Sequence, residues 1–86
     1  MLAVKRFTAA WCGPCKQLAP VFGQIKNEFP QVFFNTIDVD TSPEDVTKYS
    51  VTSVPTIIIE KDGQVVNRFV GLNPANTYTD AIKSLI

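Results

Sequence analysis

Trp11-Cys12-Gly13-Pro14-Cys15-Lys16 is the stretch on which the reading of this chain turns, because two periodicities meet there. Before it, Leu2-Ala-Val-Lys-Arg-Phe-Thr8 has the length and apolar content of a short strand, with Lys5 and Arg6 putting a charge on each face. After it, Leu18, Val21, Phe22, Ile25 and Phe29 follow the spacing of one helix face, while Lys16, Gln17, Gln24, Lys26, Asn27 and Glu28 lie outside it. A helix is therefore predicted from Gly13 to about Phe29. Pro20, which lacks a backbone donor, is expected to kink it, and Pro30 to end it. Cys12 then sits at a helix N-terminus, with Cys15 one turn further in.

Working outward, Val32-Phe-Phe-Asn-Thr-Ile-Asp-Val39 is rich in aromatic and β-branched residues and reads as a second strand, parallel to the first if the helix between them is a crossover. Ser42-Pro43-Glu44-Asp45 reads as a helix start, with Ser42 as N-cap and two acids in the first turn; this short helix carries only Val46 and Tyr49. Pro55-Thr-Ile-Ile-Ile and Gln64-Val-Val-Asn-Arg-Phe-Val read as a hairpin, since Asp62-Gly63 supplies the positive φ angles of a tight turn. Asn73-Pro74 repeats the cap logic ahead of Tyr78, Ala81, Ile82 and Leu85. The order βαβ, α, ββα predicts an α/β domain with a mixed four-stranded sheet and helices on both faces.

Composition narrows the function. Eighty-six residues, 45% of them hydrophobic, are expected to form one domain over residues 1–86. Eight Lys plus Arg balance eight Asp plus Glu, so no net field favours a nucleic acid or an anionic membrane as partner. Apolar runs fall far short of the ~20 residues that span a bilayer. Met1 leads into the first strand without the basic and apolar regions of a signal peptide, so a soluble, cytoplasmic protein is expected. The absence of histidine removes Ser-His and Cys-His catalysis and His-ligated metals.

Cys12 and Cys15 are the only cysteines. A loop this short gains only about 2 kcal/mol from closure, and a cytosolic setting would keep an inert staple reduced, so a structural disulfide is a poor reading. A zinc site lacks two ligands. Reversible dithiol–disulfide exchange remains: the helix dipole and unpaired N–H groups stabilise a Cys12 thiolate, and Cys15 is placed to resolve it.

The chain resembles the thioredoxin family over nearly its whole length. Phe7, Ala9, Trp11-Cys-Gly-Pro-Cys-Lys16 and Pro20 match the family's active-site segment without gaps. Asp38-Val-Asp40, Lys48-Tyr49, Val54-Pro55-Thr56, Asp62-Gly63 and Val70-Gly71 match later landmarks at compatible spacing. The resemblance implies that Cys12 and Cys15 are catalytic, that Pro55 is a cis-proline facing them, and that the Val54 backbone pairs with an extended substrate segment. Trp11, the Gly13-Pro14 loop, Val54 and Gly71 are then an apolar patch on which a substrate polypeptide rests. Asp40 either accepts a hydrogen bond from the Trp11 indole or is a solvated loop acid.

The resemblance further implies protein disulfides as substrates, a thioredoxin reductase, a flavoprotein by analogy, as electron donor, no bound cofactor, and a monomer. Two departures accompany it. The family's first strand and helix have no counterpart ahead of Leu2, which leaves Lys5 facing the sheet surface that helix would cover. The family's buried aspartate and its lysine partner fall on Arg6 and Thr36, and an arginine cannot act as a base. Arg6 either favours thiolates electrostatically or snorkels to the rim. A glutathione-dependent, glutaredoxin-like enzyme and a non-enzymatic binding subunit of the same fold are the alternatives.

Overall fold

The computed structural model describes all 86 residues. Its elements run β1 (Leu2–Thr8), α1 (Gly13–Glu28), β2 (Phe33–Asp38), α2 (Pro43–Lys48), β3 (Thr56–Lys61), β4 (Gln64–Val70) and α3 (Ala75–Leu85). The sheet order is β2-β1-β3-β4, with β1 and β2 parallel and the other two pairings antiparallel. This is the mixed four-stranded α/β sheet read from the sequence.

Strand alternation sorts the core. Leu2, Val4, Ile57 and Ile59 face Leu18, Phe22, Ile25 and Phe29 of α1 and its C-terminal end, together with Tyr78 and Ile82 of α3. Phe7, Ile37 and Ile58 point to the other face, where Tyr49 and Val51 cover them beside α2. Ile57, Ile58 and Ile59 are all fully buried, which is why β3 reads as an unbroken apolar run: it is paired on both edges and covered on both faces.

α1 continues through Pro20 as one helix to Glu28. Phe29, ahead of Pro30, leaves helical geometry at φ −123°, ψ 69°, while its N–H still bonds to Ile25 O. The β3–β4 turn has positive φ at both Asp62 (53°) and Gly63 (86°), as a tight hairpin requires. A register shift at Ile59/Glu60 inserts an extra residue into β4.

Two capping expectations need correction. Ser42 occupies the N-cap of α2, but its side chain makes no capping bond. α3 begins at Ala75 with Pro74 at its N-cap; the Asn73 side chain turns back to donate to Gly71 O at 3.3 Å. Two acids in the first turn of α2 complement the helix dipole in place of a hydroxyl cap.

Lys5 also differs from expectation, because the charge on its face is not left bare. Its Nζ lies 3.0 Å from Glu60 Oε1 and 2.7 Å from the Tyr49 hydroxyl, which itself donates to Glu60 Oε1 at 3.0 Å. The hydrogen bond to Tyr49 and the pairing with Glu60 raise the Lys5 pKa against the opposing effect of burial. Burial pushes the Glu60 carboxyl up, but the bonds from Lys5 and Tyr49 outweigh it and hold the group below its ordinary value. No helix is long and apolar enough to cross a membrane.

Candidate active site

Cys12 is the N-cap residue of α1, with an extended backbone (φ −90°, ψ 110°). Its Sγ accepts the Cys15 N–H at 3.2 Å, so the sulfur takes the place usually filled by a Ser or Asp oxygen. Pro14 lies in the first turn, where a missing N–H costs nothing, and no acid stands there to oppose a negative sulfur. The helix start thus stabilises charge on Cys12 through both a direct hydrogen bond and the dipole.

The two sulfurs are joined in a disulfide, with Cα atoms 5.3 Å apart. Cys15 is 1% exposed and Cys12 4%. Ala9 packs with both cysteines, and Val39 and Val54 lie against them. Gly13 and Pro14 are exposed beside the bridge.

Trp11 stands at the rim, 69% exposed, and its indole Nε1 donates to Asp40 Oδ2 at 2.9 Å. Of the two readings of Asp40, the hydrogen-bonded one is the observed one. Asp40 N–H in turn donates to Asp38 Oδ1 at 2.8 Å. This short relay ties the rim indole to the end of β2.

The Val54–Pro55 peptide bond is cis. Pro55 O accepts the Gly71 N–H at 2.9 Å, and Gly71 has φ +85°, a conformation that favours glycine. Thr56 Oγ1 closes the loop by donating to Ser53 O at 2.7 Å. Val54 N–H and C=O make no hydrogen bond within the protein. Trp11, Val39, Val46, Val51 and Val54 line an apolar depression of about 260 Å³ beside the disulfide. The structure therefore brings Trp11, Val54 and the cysteines together, with Gly71 joined to them through Pro55.

Nothing in the sequence marks Val39, Val46 and Val51 as residues of the site. Their β-branched character marks burial but not which buried surface adjoins the cysteines. Asp38 was read only as a landmark. Arg6 is half-buried: its guanidinium lies 5.9 Å from the Phe22 ring centre and donates to Thr36 Oγ1 at 3.3 Å. Burial lowers its pKa. The Arg6 and Thr36 side chains are thus in direct contact across the β1–β2 pairing.

The thioredoxin family model matches residues 1–84. Thioredoxin from Chlamydia trachomatis is 50% identical over 66 residues, which cover 77% of this chain and 65% of that protein, just under two-thirds of its length. Thioredoxin from Chlamydia muridarum is 41% identical over 81 residues, covering 94% of this chain and 79% of the relative. The crystal structure of Fasciola hepatica thioredoxin superposes with a TM-score of 0.91 at 42% identity, over 96% of this chain and 79% of the other. With the fold, the cysteine pair and these likenesses in agreement, the chain belongs to the thioredoxin family.

Proposed function

We propose that the protein is a thioredoxin-type dithiol–disulfide oxidoreductase that reduces disulfides in other proteins. The observation that carries this is the Cys12–Cys15 disulfide itself, formed between the N-cap of α1 and its first turn and flanked by an apolar depression. In the reduced protein the Cys12 thiolate attacks a substrate disulfide to give a mixed disulfide. Cys15 then attacks Cys12, releasing reduced substrate and restoring the bridge. The chemistry needs no bound cofactor.

An extended substrate segment pairs with the Val54 backbone in the manner of strand addition, a reading supported by the absence of any partner for its N–H and C=O within the protein. Trp11, Gly13, Pro14, Pro55 and Gly71 are assigned to the same substrate-binding surface, supported by the exposure of Trp11, Gly13 and Pro14 and by the Pro55–Gly71 hydrogen bond. A flavoprotein reductase returns electrons to the bridge, the protein acts as a monomer, and a cytoplasmic setting suits a pair kept reduced between cycles.

The test is reduction of insulin disulfides. Cys12→Ser falls to the uncatalysed rate, and Cys15→Ser accumulates mixed disulfides with substrate. A reduction potential near about −270 mV is expected of a reductant of this type. Activity retained in Cys12→Ser overturns the assignment, and turnover with glutathione alone redirects it to a glutaredoxin-like role.

A further inference from the structure

The resolving step requires Cys15 to lose a proton, and the chain has no histidine to take it. Arg6 stands where the family carries its buried acid, and Arg6 cannot act as a base. A second cleft, sharing no residue with the apolar depression, reaches Cys15 and not Cys12. Its walls include Arg6, Thr8, Cys15, Lys16 and Asp38. At about 280 Å³ it far exceeds the roughly 10–15 Å³ that one water requires.

Strand register explains the grouping. β1 and β2 pair Arg6 with Thr36 and Thr8 with Asp38, so these side chains share the sheet face that α1 covers. The small side chains of Thr8, Ala10 and Ala19 leave the space open. Asp38 contributes the only carboxylate in the cleft. Its Oδ1 is held by the Asp40 N–H, while Oδ2 has no hydrogen-bond partner in the protein. Arg6 has no carboxylate within ion-pair distance.

Resting on the dithiol chemistry above, we propose that Asp38 is the proton acceptor for Cys15, reached through water in this cleft, and that Arg6 and Lys16 favour the Cys15 thiolate electrostatically. The Cys15 thiol passes its proton through water to the Asp38 carboxylate. The thiolate attacks Cys12 Sγ; the Cys12–Cys15 bond forms as the Cys12–substrate bond breaks. The substrate sulfur leaves with the electron pair and is protonated from solvent. Over the whole cycle the dithiol loses two electrons and the substrate disulfide gains two. The charged or titratable groups facing Asp38 are Arg6 from β1 and Cys15 and Lys16 from α1, with Asp40 beside it in the chain.

The test is a single-turnover reduction of insulin by the reduced protein at several pH values, with mixed disulfide and released thiol followed separately. In Asp38→Asn, formation of the mixed disulfide keeps its wild-type rate. Resolution slows about 100-fold or more, the lower end of what a positioned general base contributes, and the pH dependence of resolution changes while that of mixed-disulfide formation does not. Asp38→Glu and added acetate each restore part of the rate. Resolution by Asp38→Asn at the wild-type rate overturns the proposal, as does equal slowing of both steps or slowing that neither Glu nor acetate relieves. Failure of the wild-type protein to form the mixed disulfide condemns the oxidoreductase reading instead.

Discussion

Glu60 is a carboxylate at 8% exposure, and what makes it tolerable is Lys5 Nζ and the Tyr49 hydroxyl, each 3.0 Å from Oε1. Its depressed pKa means that the carboxylate contributes stability above the unfolded value of about 4.3, and that this is lost as pH falls through the folded value. The raised pKa of Lys5 acts in the opposite sense: its contribution is present below about 10.4 and is lost as pH rises through the folded value. Glu60→Gln is expected to cost about 1–2 kcal/mol at neutral pH, since Lys5 loses its counter-charge. In a chain of this size each kcal/mol lowers Tm by roughly 4–8 °C. Thermal unfolding at pH 7 and pH 3 checks it: the variant should converge on wild type in acid, and a constant gap across that range would refute the pairing. None of this was legible in the sequence. Lys5, Tyr49 and Glu60 are far apart along the chain, and a lone Lys in a strand carries no sign of its partner. The Trp11–Asp40 bond is one of the two readings of Asp40 that the sequence leaves open, and the structure decides between them.

Among the elements, the β3–β4 hairpin shows local chemistry deciding structure unaided. Asp62-Gly63 takes positive φ at both positions, and a Cβ added to Gly63 would meet nothing within 4 Å. Gly63→Ala is therefore opposed by backbone conformation alone, at about 1–2 kcal/mol. The turn adjoins Met1, at the opposite end of β1 from the cysteines, so insulin reduction per folded molecule should be unchanged. Chemical denaturation together with the activity assay measures both, and a loss of activity in the folded variant would show the hairpin to be coupled to the site. The helix starts were less legible. A Ser or Asn ahead of Pro signals a cap, but the side chain takes whatever partner packing leaves nearby, and Asn73 found Gly71 O. Cys12 was placed correctly at its helix start because the strand and helix periodicities change over within a few residues.

The whole molecule rests on two unequal cores divided by the sheet. The larger joins β1 and β3 to α1 and α3, and Ile57, at its centre, is fully buried. Ile57→Ala should cost about 2–5 kcal/mol, a large share of the roughly 5–15 kcal/mol that stabilises a small domain. A fall in denaturant midpoint without a change in m-value is the expected result, and a midpoint within error of wild type would contradict the packing. The sequence by itself determined the seven elements, the sheet's strand content and the placing of Cys12 and Cys15 at a helix start, because periodicity, turn residues and a motif of six consecutive residues are local properties. Tertiary structure alone decided that β1 lies between β2 and β3, which valines line the depression, how Gly71 meets Pro55, and that Asp38 shares a cleft with Cys15. Those contacts join residues separated by up to most of the chain, and their energies arise only once apolar burial has brought the two faces of the sheet into register with the helices.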